Sequence, residues 1–146
     1  MALWFETKVS YDKMMDNGTI RKVKEPYLCD ALSFSEAEAR TTEKMAPCIS
    51  GEFDVAAVKK TKIAEIFMQF NGDKWYLVTV AFVILDERTG AEKKANSQIL
   101  VAADNFREAL SNFAEGMKGT MADYDIVSIA ETPIMDVFPA EPSKAE

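Results

Sequence analysis

The chain has 146 residues, of which 48% are apolar and 10% aromatic, enough for one well-formed core but too little for two large independent domains. Its formal charge of −7 argues against a generally cationic nucleic-acid or membrane binder, although it leaves room for a local basic patch. The chain has no histidine, which removes the usual general base, the commonest zinc ligand, and the Ser-His and Cys-His nucleophile arrangements.

Other signatures of enzymes and metal sites are also missing from the sequence. The six glycines are scattered and form neither a phosphate loop nor a dinucleotide fingerprint. The two cysteines, Cys29 and Cys48, lack metal-ligand spacing and are interpreted as structural thiols. Neighbouring carboxylates such as Asp123 and Asp125 are expected by chance in a chain with 24 acidic residues. We therefore predict no enzymatic activity, no catalytic residue, no metal and no cofactor.

The sequence lacks the patterns of a membrane helix and of a signal peptide, which favours the cytoplasm. No segment approaches the roughly 18 consecutive apolar residues that a membrane helix needs. The first residues, Met-Ala-Leu-Trp-Phe-Glu, lack the basic region and the long apolar region of a signal peptide. We expect a cytoplasmic protein with no membrane partner.

The first half of the chain predicts a hairpin, a helix and further strand structure. Strands are expected over 3–12 and 20–30, a helix over 34–46, and a long strand or a bent pair of short strands over 53–67. The turn between the first two strands falls at Asp16-Asn17-Gly18. Ser33 and Glu36 have the spacing of a capping box, so the helix should begin directly after Ser33.

The second half repeats this order at an offset of 71 to 72 residues. The same patterns predict strands over 74–86 and 92–102, a helix over 105–117, and a strand over 124–138. Trp4 aligns with Trp75, and Phe67 aligns with Phe138. The one-residue shifts in this alignment fall at turn or loop positions, where a change of length is tolerated. Pro133 lies inside the last strand and indicates an edge or a bulge there.

The repeat predicts an α+β fold built from two β-β-α-β units, residues 3–67 and 74–138. We expect a pseudo-two-fold axis to relate the two units, which share one antiparallel sheet with both helices on one face. Residues 1–138 are expected to form a single domain. Residues 139–146 contain two prolines and two glutamates and are expected to be a disordered polar tail.

The pattern of aromatic and basic residues suggests a ligand. If the helices cover one face of the sheet, Trp4 and Trp75 lie on the opposite face. Twelve of the 17 basic residues fall in predicted strands or their turns, whereas the helices are acidic. Single-stranded nucleic acid suits such a surface, because bases stack on aromatic rings while Lys and Arg contact phosphates. The predicted nucleic-acid-binding residues are Trp4, Lys8, Arg21, Lys22, Lys59, Lys60, Lys62, Trp75, Lys93 and Lys94.

Ordinary structural roles also explain these residues. The two tryptophans can seal the sheet ends or a dimer contact, and lysines on exposed strands prevent sheet-to-sheet aggregation. Our leading hypothesis is a non-enzymatic binding module for single-stranded DNA or RNA on the open sheet face. The rival hypothesis is a protein-interaction or homo-oligomeric module, in which the same sheet face or the acidic helices contact a protein.

Three segments carry a resemblance to a known family: EPYLCDALSFSEAEAR at 25–40, ISGEFDV at 49–55 and EGMKGTMADYDIVSIAETPIMDVF at 115–138. They resemble a family of short uncharacterised proteins found in Bacteroidota and their phages. This resemblance implies a free-standing domain in the cytoplasm of a bacterium or of a phage-infected host. It adds a phage-encoded regulator or inhibitor of a host protein to the rival hypothesis. The family has no established activity, so the resemblance assigns no catalytic residue.

Overall fold

The computed structural model describes residues 3–139. In chain order its elements are β1 (Trp4–Met14), β2 (Ile20–Asp30), α1 (Phe34–Met45), β3 (Phe53–Lys60), β4 (Ile63–Phe67), β5 (Lys74–Leu85), β6 (Glu92–Ala103), α2 (Phe106–Gly116), β7 (Tyr124–Thr132) and β8 (Asp136–Phe138). The predicted α+β class is confirmed. The predicted polar tail lies outside the described residues from residue 140 onward. Within residues 3–139, neither helix is long and apolar enough to cross a membrane.

The strands form two four-stranded sheets, in the orders β3-β1-β2-β8 and β4-β6-β5-β7. β8 pairs with β2 in parallel and β4 pairs with β6 in parallel, while the other neighbours are antiparallel. Both sheets are therefore mixed, and the prediction of one shared antiparallel sheet is wrong. The physical reason is a break in the third strand of each half. β3 is separated from β4, and β7 is separated from β8. As a result, β4 pairs in the sheet of β6 instead of the sheet of β3, and β8 pairs in the sheet of β2 instead of the sheet of β7.

The chain divides into two compact units. Unit 1 contains the residues up to 61 and those from 134 onward, and unit 2 contains residues 62–133. Each unit holds one sheet and one helix, so the two helices do not share a sheet face. Strands that the repeat alignment pairs with one another occupy corresponding places in the two sheets. The pseudo-two-fold relation between the units stays a prediction.

The core of unit 1 lies between α1 and its sheet. Phe5 packs with Ala37, and Val9 packs with Tyr27 and Met45. Phe5 and Val9 occupy alternate positions of β1, and Ala37 and Met45 lie two helical turns apart on α1. One face of the strand therefore meets one stripe of the helix.

The core of unit 2 has the same arrangement with larger side chains. Tyr76, Val78 and Val80 alternate along β5 and pack against Ala109 and Phe113 of α2. Val78, Val80, Ala109 and Phe113 are fully buried. Burial of such apolar surface is the main term that stabilises the unit.

Both helices begin with a reciprocal cap. The Ser33 Oγ accepts a hydrogen bond from the Glu36 backbone N–H, and a Glu36 carboxylate oxygen accepts one from the backbone two residues before the helix. This is the predicted capping box. In α2 the cap is Asn105, whose Oδ1 accepts from the Glu108 N–H, while Glu108 accepts from the backbone N–H of residue 104. The cap side chain thus satisfies one of the unpaired donors at each helix start, and the glutamate binds the backbone N–H of the residue before the cap.

Candidate functional site

Trp4 and Trp75 differ in exposure. The Trp4 side chain is buried, with 7% of the residue exposed, whereas Trp75 is half-buried. Each tryptophan is held through its main chain, because its carbonyl accepts from the hydroxyl of Thr61 or Thr132, at 2.7 Å and 2.8 Å respectively. A base stacks only on an open ring face. Trp4 therefore lacks the surface that its predicted stacking role requires, while Trp75 retains part of it.

The predicted cations do not share one face of a sheet. Successive residues in a strand point to opposite faces, so the neighbours Arg21 and Lys22 separate, as do Lys59 and Lys60. In unit 1, the strand register places Lys8, Lys22 and Lys59 on the face opposite α1. Arg21 and Lys60 fall on the other face. The predicted nucleic-acid-binding residues of unit 1 are therefore divided between the two faces of the sheet.

The same alternation applies in unit 2. Lys93 pairs with Ile84 and Lys94 with Val83, so the two lysines lie on opposite faces of the β5–β6 hairpin. Lys94 also forms an ion pair with Asp125 at 3.2 Å. Lys62 lies between β3 and β4, outside both strands.

Distance separates the predicted cations of unit 1 further. Lys59 is opposite Glu6, with which it forms an ion pair at 3.7 Å, whereas Lys22 is opposite Asp12 on the same strand. Six strand residues span about 20 Å. Lys59 and Lys60 therefore lie at one end of β1, and Arg21 and Lys22 lie toward the other end.

The outer half of the β1–β2 hairpin is a two-stranded ribbon. β3 pairs with β1 only as far as Tyr11, and β8 pairs with β2 only from Tyr27 onward. Residues 12–24, which we call the unit 1 ribbon, therefore have no flanking strand among the described residues. At its tip, Gly18 has a φ of 85°, a left-handed conformation that glycine adopts without strain.

The unit 1 ribbon carries a net positive charge although the unit as a whole is acidic. Four of its residues are basic and two are acidic, a formal charge of +2. Lys13 forms an ion pair with Glu25 at 3.6 Å. Arg21, Lys22 and Lys24 are exposed and form no ion pair with another described residue. Lys24 was missed by the sequence analysis, because only the strand pairing shows that it belongs to an unflanked ribbon.

The corresponding part of unit 2 is electrically balanced. β7 pairs with β5 only as far as Phe82, and β4 pairs with β6 only over residues 98–101. The unit 2 ribbon, residues 84–97, contains three basic and three acidic residues. Lys93 and Lys94 thus occupy the same position as Arg21 and Lys22 but in a neutral setting.

An open cleft of about 580 Å³ lies beside the unit 1 ribbon, where β3 begins. Lys22 lines it together with three carboxylates, those of Asp12, Glu52 and Asp54. This acidic lining does not suit an anion. Across residues 3–139, no group of three or more acidic or cysteine side chains is placed to hold a metal ion.

A polar cluster at the base of the ribbon was not predicted. The hydroxyls of Tyr11 and Tyr27 both donate to a carboxylate oxygen of Glu25, at 3.0 Å and 3.3 Å. Burial, followed by the nearby Glu25 charge, raises the pKa of Tyr27 well above its usual value. Burial also raises the pKa of the Cys29 thiol. Both groups therefore stay protonated at neutral pH, and the two tyrosine hydroxyls hold the Glu25 side chain at the base of the ribbon.

The comparisons with known proteins identify a family but no function. A family model described as "Domain of unknown function (DUF4494)" matches residues 3–140. No curated protein and no solved structure matches the chain.

Proposed function

The chain belongs to the DUF4494 family, a domain of unknown function, and we propose that it is a non-enzymatic module that binds single-stranded nucleic acid through the unit 1 ribbon. One observation carries this proposal: the ribbon bears three exposed cations, Arg21, Lys22 and Lys24, that form no ion pair with another described residue, although Lys22 also lines the acidic cleft. Phosphate contacts from Lys and Arg supply most of the affinity in non-specific binding.

The spacing of the cations suits a nucleic-acid backbone. Lys22 and Lys24 lie two residues apart on one face of β2, which separates them by about 7 Å. Lys8 lies on the same face of β1, opposite Pro26. Arg21 is on the other face, and its side chain is also exposed. A single strand can therefore follow the ribbon and meet several cations at once.

The net charge favours a single strand over a duplex. Unit 1 and unit 2 have formal charges of −3 and −4. A duplex carries one phosphate per about 1.7 Å of its axis, and a single strand carries half that density. Repulsion from the acidic remainder of the protein is therefore weaker for a single strand. Trp75 retains partial exposure, but base stacking on it is no longer required by the proposal.

Salt dependence of oligonucleotide binding tests the proposal. We expect the anisotropy of a fluorescein-labelled oligo-dT of about 20 nucleotides to rise on titration with the protein at low salt. If three phosphates are contacted, the logarithm of the binding constant should fall with the logarithm of salt concentration at a slope of about −2. Replacing Arg21→Gln together with Lys22→Gln should reduce the magnitude of this slope by about 1.4.

The repeat supplies the control variant. Lys93→Gln with Lys94→Gln removes two cations at the corresponding position of unit 2, where the ribbon is neutral. This variant should bind nearly as well as the unchanged protein. Absence of binding at low ionic strength, a salt-independent affinity, or equal losses in the two variants contradicts the proposal. A labelled duplex of the same length should bind more weakly.

A further inference from the structure

The outer edge of unit 2 has an unusual composition for an exposed strand. β7 is the last strand of its sheet, so one side of its backbone faces no strand among the described residues. Ile126 and Val127 are exposed by 39% and 58%. Proteins usually protect such edges with lysine or proline. The corresponding edge strand β3 ends in Lys59 and Lys60, whereas β7 contains no lysine.

An exposed apolar helix face lies beside this edge. Tyr124 and Ile129 of β7 pack against the core that contains Phe113 of α2. Asn112 donates to the carbonyl of Ala102 on β6, which places that side of α2 toward β6.

Leu110 lies on the other side of α2. Two residues of α-helix correspond to a rotation of about 200°, so Leu110 points away from the Asn112 side and toward β7. It is 41% exposed, and Phe106, one turn earlier, is 56% exposed. We call Phe106, Leu110, Ile126 and Val127 the unit 2 apolar edge. An open strand edge beside an apolar helix face is the arrangement that accepts an extended peptide as an additional strand.

Charge identifies the kind of partner. The carboxylates of Asp125 and Glu131 on β7 are already paired with Lys94 and Lys74, at 3.2 Å and 3.5 Å. They do not repel an incoming strand strongly, yet unit 2 as a whole has a formal charge of −4. A second copy of the chain would place two acidic units side by side. A peptide with basic flanks gains from the same field.

We propose that the unit 2 apolar edge binds an extended apolar segment with basic flanking residues from a different protein. The backbone of that segment pairs with β7, and its alternate side chains contact Leu110 and Phe106. The β7 strand also carries a bulge at Val127, because the register with β5 shifts between Ser128 and Ile126. Val127 is the extra residue of this bulge, and its side chain is exposed.

Hydrogen exchange with a defined peptide tests this proposal. The probe is acetyl-Lys-Lys-Val-Thr-Val-Thr-Val-Lys-amide, mixed with the full chain. We expect amide exchange in residues 124–132 to slow by about tenfold at ten times the dissociation constant, while β3 is unaffected. A peptide with glutamate flanks should protect β7 less. The same basic peptide with alternate amides methylated should not protect it, since it cannot pair along the strand.

Matched variants locate the site. Val127→Lys should abolish protection, because it adds a protective lysine to the edge and repels the basic flanks. The control Ala56→Lys adds the same residue at the corresponding bulge of β3 and should leave protection of β7 unchanged. Leu110→Ser removes the helix contact without altering charge and should weaken binding by about threefold to tenfold.

Three results would overturn the proposal. The first is unchanged β7 exchange with the basic peptide while circular dichroism shows a folded protein. The second is equal protection by the peptides with basic and acidic flanks. The third is β7 protection that increases with protein concentration in the absence of peptide, which would assign the edge to a second copy of this chain.

Discussion

The centres of the two cores differ in chemistry although their positions correspond. In unit 1, the buried hydroxyls of Thr7 and Thr41 form a hydrogen bond of 3.0 Å between β1 and α1. In the repeat alignment these positions match Val78 and Phe113, which make an apolar contact in unit 2. One helix is therefore tied to its sheet by a directional bond and the other by packed volume. The same arrangement of helix and sheet accommodates either a hydrogen bond or an apolar contact at this position, provided that no buried polar atom is left unpaired.

The outer surfaces of the two units also differ, in charge and in apolar character. Unit 1 has a cationic ribbon and an edge strand that ends in two lysines, whereas unit 2 has a neutral ribbon and an apolar edge. A repeat in which both copies served the same ligand would keep the same charges at corresponding positions. The two proposals, nucleic-acid binding by unit 1 and peptide binding by unit 2, both depend on this divergence.

The largest expected effect comes from truncating the apolar core. Phe113 is fully buried and packs against Phe67 and Tyr124, with ring centroids 6.0 Å and 5.9 Å away. Phe113→Ala should lower the free energy of unfolding by about 3 to 5 kcal/mol. Urea denaturation followed by circular dichroism measures this loss. The matched change Thr41→Ala should cost less, and an equal cost in the two units would contradict the contrast between them.

The buried threonine pair should show strong coupling. Thr41→Val leaves the Thr7 hydroxyl buried without its partner, which should cost about 1 to 3 kcal/mol. The double variant Thr7→Val with Thr41→Val removes both hydroxyls and should recover most of that stability. A double-mutant cycle by urea denaturation measures the coupling. Additive losses would show that the hydrogen bond does not matter.

Alkaline pH should destabilise the protein through unit 1. Burial raises the pKa of Cys29 above its usual value of 9.0 in the folded state. The contribution of the protonated Cys29 thiol to the free energy of unfolding is therefore complete at a pH below the thiol pKa of the unfolded chain. It is lost as pH rises through the raised thiol pKa of the folded protein. The loss is at most about 1.4 kcal/mol per pH unit for this one group. Cys29→Val, which copies Val101 of unit 2, should flatten the dependence of unfolding free energy on pH above about 9. An unchanged slope would contradict this assignment.

Local elements were predictable because their signals are local. The predicted span 20–30 coincides with β2, and the predicted helix 34–46 extends one residue beyond α1. The capping-box spacing of Ser33 and Glu36 located the start of that helix. The cap of α2 was harder to assign, because the polar residues Asp104 and Asn105 are adjacent and only Asn105 has the cap geometry.

Pairing between distant strands was not predictable in the same way. β8 has three residues and β4 has five, and such short segments carry no signal for the sheet that they join. Alternation correctly placed Trp4 on the face opposite α1, but alternation does not state what covers a face. Only the structure shows that Trp4 is buried. For this reason the candidate site is placed on the unit 1 ribbon instead of around Trp4.

The helix caps should give the smallest effect and the closest agreement between the units. Ser33 and Asn105 accept the same backbone hydrogen bond, at 3.1 Å and 2.8 Å, and each is joined by a glutamate that returns a bond to the preceding backbone. Ser33→Ala and Asn105→Ala should each cost about 1 kcal/mol. Neither cap belongs to the unit 1 ribbon, so oligonucleotide binding should survive both changes, whereas Asn105 adjoins Phe106 of the unit 2 apolar edge and is no neutral control for peptide binding. Urea denaturation of the two variants measures the costs. A difference larger than about 1.5 kcal/mol would show that the two helix starts are not equivalent, since cap-to-alanine costs range from about 0.5 to 2 kcal/mol.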